Sequence, residues 1–111
     1  MKKVVIFIDD TRDMRNYVDC TNVNAYQAKN YNQFIYILNS LYESYGQIDE
    51  VWFDHDLGEF SLSGYDCAKY LVTFCVNHEM KLPEWHIQSS NPAGRQNIDS
   101  YLKSYLKSIE L

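Results

Sequence analysis

Cysteine, proline and glycine are all scarce in this chain: three, two and four among 111 residues. Cys20, Cys67 and Cys75 are odd in number and show no CxxC spacing, so neither a disulfide framework nor a cysteine zinc site is indicated. No Gly/Ser-rich linker, internal repeat or low-complexity tract divides the sequence. The apolar run at the N-terminus, Val4 to Ile8, stops at Asp9, too short for a signal segment or a membrane span. The expectation is a cytoplasmic protein without membrane attachment. Basic residues are also few, and the net charge of -5 argues against general binding along a long nucleic-acid duplex, a mode that rests on Lys and Arg neutralising phosphates. A single nucleotide or a short RNA end remains compatible.

What is present is enough apolar content, 46%, for one core and one domain over residues 1–111. Short apolar runs alternate with longer helical patterns, which predicts an α/β domain with a parallel sheet. Strands are expected at Val4 to Ile8, at Asn24 to Lys29 on an edge, at Glu50 to Phe53 in the centre and at Trp85 to Gln88. The polar stretch from Asp10 to Asn22 offers no more than one helical turn.

Helix signals are stronger. Tyr31 to Tyr45 carries Phe34, Ile37, Leu38, Leu41, Tyr42 and Tyr45 at helical spacing, after a cap at Asn30 and before a stop at Gly46. Ser63 with Asp66 opens a second helix, whose apolar face takes Cys67, Ala68, Leu71, Val72, Cys75 and Val76. Asn91 and Pro92 start a third, with Ile98, Tyr101, Leu102, Tyr105 and Ile109 on one stripe.

Three strand ends carry polar clusters: Asp9-Asp10-Thr11-Arg12, Asp54-His55-Asp56-Leu57-Gly58, and Ser89-Ser90-Asn91-Pro92-Ala93-Gly94-Arg95-Gln96-Asn97. Open α/β sheets bind ligands beyond the carboxyl ends of their strands, so these clusters predict one site. Converging carboxylates resist joint ionisation unless a cation intervenes. Asp9, Asp10, Asp54 and Asp56 therefore point to a divalent ion, with Asp9, Asp10 and Asp56 as its expected ligands. Oxygen ligation favours Mg²⁺ or Mn²⁺, whereas His55 as a direct ligand would move the preference toward Mn²⁺ or a later transition metal. The bland reading of any one Asp is a turn or cap residue, and of Asp10 with Arg12 a local ion pair. His55 is a candidate for proton transfer, with Asp54 as a further metal ligand or the group that orients it. Ser89, Ser90, Asn91, Gly94, Arg95 and Asn97 form the expected phosphate-binding segment, with free N–H groups at a helix start and Arg95 as a clamp. Gly94 favours that reading, since glycine in a first turn lowers helix stability without evident return. His78 and His86 read as packing or surface residues. Most of the ten tyrosines fall on helical stripes, and Tyr65 lies closest to the expected crevice.

The element order resembles a receiver domain of two-component signalling, a flavodoxin-like parallel sheet with flanking helices, truncated by about one βα unit. The acidic pair Asp9-Asp10, the acid Asp56 followed by Leu57 and by Gly64 eight residues on, and the hydroxyl of Ser89 or Ser90 carry the likeness. Phe60 stands where receivers have proline, nothing after Asn97 supplies their fifth-strand lysine, and His55 is foreign to them. Asp-Asp-x-Arg, Asp-His-Asp-Leu-Gly and Ser-x-Asn-Pro-x-Gly-Arg-x-Asn-Ile more closely resemble the cyclic-phosphate-processing receivers of bacteria and phages. That resemblance implies activity on a cyclic phosphate, in RNA repair or in nucleotide-signal conflict.

The leading expectation is a metal-assisted phosphoesterase acting on a 2′,3′-cyclic RNA end or a cyclic nucleotide, with His55, Asp54 and Arg95 as catalytic groups. The alternatives are a module that sequesters a phosphorylated nucleotide and a degenerate receiver that takes phosphate on Asp54 or Asp56 and acts through a protein partner. The sequence gives no indication of oligomeric state.

Overall fold

Four parallel strands in the order β2-β1-β3-β4 organise the computed structural model, which describes residues 2–58 and 62–110. The strands are β1 (Lys3–Ile8), β2 (Val23–Ala28), β3 (Glu50–Phe53) and β4 (Glu84–Ile87), and the helices are α1 (Tyr31–Tyr45), α2 (Gly64–His78) and α3 (Pro92–Ile109). This is the receiver-like α/β arrangement expected from the sequence, with β2 on an edge. The departure from proline at Phe60 falls outside the described residues. No helix among the described residues is long and apolar enough to cross a membrane.

The caps act as read. The Asn30 side chain accepts from the Gln33 N–H, Ser63 and Asp66 close a reciprocal capping box, and Asn91 accepts from the Gly94 N–H ahead of Pro92. Gly46, at φ 72°, ends α1 in the left-handed conformation.

All three helices bury their apolar stripes on one face of the sheet. Val4, Ile6, Ile8, Val51 and Phe53 share a core there with Phe34 and Leu38 of α1, Leu71 and Phe74 of α2, and Ile98 and Leu102 of α3. The stripes end sooner than expected. Val76 and Ile109 are each 57% exposed, because 3.6-residue periodicity rotates the helix ends away from the sheet. The opposite face holds Val5, Phe7 and Val18, with Met14 and Trp52 packed against them. The segment that covers it links β1 to β2 through two 3₁₀ turns, Met14–Asn16 and Cys20–Asn22, capped by Asp13 and Asp19. The sheet thus has one thickly and one thinly covered side.

Candidate functional site

The register of the central strands creates the first half of the site. Ile8 pairs with Phe53, and the ladder runs one step further, since Asp54 donates its N–H to the Ile8 carbonyl at 3.0 Å. Asp9 and Asp54 therefore leave adjacent strands side by side, and both are buried. One carboxylate oxygen from each of Asp9, Asp10 and Asp54 lies within 4.8 Å of the others. The acid that joins Asp9 and Asp10 is thus Asp54. Asp56 lies two residues past that step, with its side chain 70% exposed.

A cation already serves this cluster. Arg12 Nη1 is 3.1 Å from Asp9 Oδ2 and 3.6 Å from Asp54 Oδ1, so the ion pair considered for Asp10 is made instead to its neighbours. Asp9 also accepts from the backbone N–H groups of Thr11 at 3.0 Å and Arg12 at 2.8 Å. Burial works to raise the pKa of Asp9, but these hydrogen bonds outweigh it and hold the carboxyl below the usual range. Asp54 moves the other way. Its burial first, then the charge of Asp9, raise its pKa, and Arg12 only partly offsets them. Additional positive charge nearby would therefore favour ionised Asp54.

Asp56 belongs to the second half of the site. Its Oδ1 lies 3.1 Å from His55 Nδ1, and its Oδ2 accepts from Asn91 Nδ2 at 3.4 Å. Of the two roles considered for Asp54, the structure places it with the acid cluster, whereas Asp56, expected in that cluster, contacts His55. The chain leaves β3 at Phe53 and bends at His55, so Asp54 faces Arg12 while His55 turns toward the start of α3 and Asp56 follows it. There, a Cβ on Gly94 would overlap the His55 ring and Cβ. The structural return of Gly94 is room for the imidazole. Gly64 allows an equally close approach of α2, where a Cβ would overlap the Asp54 carbonyl.

Among the described residues, the remaining expected phosphate ligands make no hydrogen bond or ion pair to Asp9, Asp10 or Asp54. Ser89 is buried and its Oγ accepts from the Asn91 N–H at 3.1 Å, so it shapes the turn into α3. Asn97 is exposed on α3. Ser90 and Arg95 line a cavity of about 580 Å³ with Trp85, Ile87 and Asp99, along the outer side of β4. The cationic groups beside the acids are others. Arg12 and Asp10 line a cavity of about 400 Å³ that also takes Thr11, Arg15 and Lys29.

The sequence reading missed Gln88, whose Nε2 donates to the Ile8 carbonyl at 2.9 Å and lies 3.4 Å from Asp9 Oδ2. Its position at the end of a strand opposite Asp9 was the available signal. Tyr65 packs edge-on against Tyr101 at 5.6 Å between centroids. Cys67 and Cys75 are core thiols whose pKa burial pushes up, that of Cys75 to about 11, which makes them poor nucleophiles. His86 stacks on Trp52 at 4.3 Å.

An acid cluster at the ends of β1 and β3, in a parallel sheet ordered β2-β1-β3-β4, defines a receiver-like domain. Residues 4–104 match the family model of the cyclic-phosphate processing receiver domain, and the chain belongs to that family. No curated protein and no solved structure matches it.

Proposed function

We propose that the protein is a phosphoesterase that opens a cyclic phosphate with the help of a divalent ion. The observation that carries this reading is the grouping of Asp9, Asp10 and Asp54 within 4.8 Å, two of them buried, beside a single guanidinium. Three carboxylates and one Arg leave negative charge in a low-dielectric setting. An all-oxygen donor set of this kind fits Mg²⁺ or Mn²⁺. Such an ion, when bound, polarises a phosphoryl oxygen and makes water more acidic.

The chain's own groups supply the rest. Arg12 is placed to accept charge that develops on the phosphoryl oxygens, and Lys29 on the same cavity adds to the attraction for an anion. His55, held through Nδ1 by Asp56 and packed on Gly94, moves the proton to the leaving oxygen. Asn91 keeps Asp56 in place. Arg95 lies on the β4 flank of α3 and is left out of the reaction.

The family's description supports a cyclic phosphate as substrate class. Within that class the proposed substrate is a 2′,3′-cyclic RNA end or a cyclic nucleotide, with a role in RNA repair or phage–host nucleotide signalling as part of the same proposal. The test is incubation with cyclic nucleotides and cyclic-ended oligonucleotides, with and without Mg²⁺ or Mn²⁺. Metal-dependent ring opening supports the proposal. Retention of intact ligand without turnover makes the protein a sequestering module, and reaction with acetyl phosphate alone makes it a degenerate receiver.

A further inference from the structure

Among the described residues, the β4 strand has β3 on one side and no strand on the other. Glu84 and Gln88 donate their N–H groups to Asp49 and Phe53 of the β3 side at 3.0 Å each. By the alternation of a parallel ladder His86 faces the same way, so Trp85 and Ile87 direct their N–H and C=O groups outward. Pro83, the next outward position, has no N–H to offer. The donors and acceptors thus concentrate at two residues with one residue between them.

We infer that β4 pairs with β4 of a second copy, antiparallel about a twofold axis through His86. In that register Trp85 of each copy faces Ile87 of the other. Each such pair exchanges both of its N–H···O bonds, giving four bonds in all from groups with no other hydrogen-bond partner among the described residues. Parallel pairing of this edge with itself would not close, whereas the antiparallel twofold does.

The side chains on the adjoining helix agree with the same axis. Trp85 Nε1 donates to Asp99 at 3.1 Å, which puts Asp99 level with Trp85. Arg95 is one helical turn nearer the start of α3, about 6 Å along it, and two strand residues span about the same length, so Arg95 is level with Ile87. A twofold through His86 exchanges these levels and brings Arg95 of one copy to Asp99 of the other. Both line the 580 Å³ cavity outside β4, and the Arg95 guanidinium has no partner among the described residues. Asp99 already holds Lys103 at 2.7 Å, so in the dimer Arg95 of the other copy joins that pair, once on each side of the axis.

Sedimentation velocity of the full chain over a concentration series tests this. The wild type is expected to dimerise. Ile87→Pro removes an outward N–H that β3 does not use, and is expected to sediment as a monomer with its circular dichroism retained. Arg95→Asp, an exposed change independent of the strand's folding, is expected to weaken dimerisation by about tenfold or more, and Arg95→Asp with Asp99→Arg to restore it. A wild type that stays monomeric up to millimolar concentration overturns the inference. So does a dimer that Arg95→Asp leaves unchanged.

Discussion

The imidazole of His55 occupies the space that a side chain on residue 94 would need, so the first turn of α3 rests directly on the His55 ring. Gly64 stands in the same relation to the backbone of Asp54. The two glycines allow two helix starts to close on residues 54 and 55 and set the shape of the rim. They differ in what yields. At residue 94 the obstructing atoms include a side chain that can rotate, and at residue 64 they are backbone.

Gly94→Ala is accordingly expected to lower stability by about 1–3 kcal/mol through overpacking and to displace His55 from Asp56. Gly64→Ala is expected to cost more. Thermal unfolding of both variants checks the order. An unchanged His55 resonance in the NMR spectrum of Gly94→Ala would contradict the contact.

Asp9 and Asp54 give opposite pH dependences from one cluster. Asp9, with its folded pKa lowered, contributes stability that is present at neutral pH and lost as pH falls through that folded value. Asp54, with its folded pKa raised above the ordinary 3.8, contributes stability that is full below 3.8 and lost as pH rises through its folded value. At neutral pH the charged Asp54 is therefore a net burden on the ligand-free fold. Asp54→Asn should raise the melting temperature at pH 7, with the gain shrinking as the pH is lowered toward 3.8. A melting temperature at pH 7 equal to or below that of the wild type would show that Arg12 fully compensates Asp54.

Much of this arrangement was legible because local signals and burial agree. Asn30 and Gly46 bracket α1, and Ser63 with Asp66 starts α2, since each cap satisfies backbone groups that no neighbour could reach. The third acid was not legible in the same way. Asp54 and Asp56 share a strand face by parity, and spacing to Gly64 favoured Asp56. The choice is made by one ladder bond, Asp54 N–H to the Ile8 carbonyl, which depends on the partner strand. The direction of Arg95 was hidden for a related reason. Gly94 and Arg95 are adjacent in sequence, but 100° of helical rotation sends one toward His55 and the other toward the β4 edge.

Arg12 is the counter-charge for two buried carboxylates, and its side chain is itself 27% exposed. Arg12→Ala should lower stability at pH 7 by about 1.5–3 kcal/mol, the scale of a charge-assisted hydrogen bond. Excess Mg²⁺ or Mn²⁺ should restore most of that loss, because an ion on the same carboxylates takes over the neutralisation. Turnover of a cyclic phosphate should stay low even when stability returns, since Arg12 is proposed to meet the phosphoryl oxygens. Unfolding curves with and without the ion measure the first two effects. Failure of any divalent ion to stabilise either protein would remove the metal from the acid cluster.

His55 separates proton transfer from ion and phosphate binding, because its side chain faces Asp56 and Gly94 while Asp54 faces Asp9 and Arg12. His55→Ala should therefore reduce turnover by on the order of 10²–10⁴ and leave the stabilisation by Mg²⁺ or Mn²⁺ as it is in the wild type. Asp56→Asn keeps the shape of the orienting contact while removing its charge, so it should reduce turnover less than His55→Ala does and alter the pH profile of what remains. The two substitutions combined should cost little more than His55→Ala alone, since Asp56 acts through the imidazole. Rates across pH 6 to 8 for the three variants decide the matter. Independent, multiplying effects would mean that Asp56 touches the substrate itself, and wild-type turnover in His55→Ala would leave a carboxylate or water as the proton carrier.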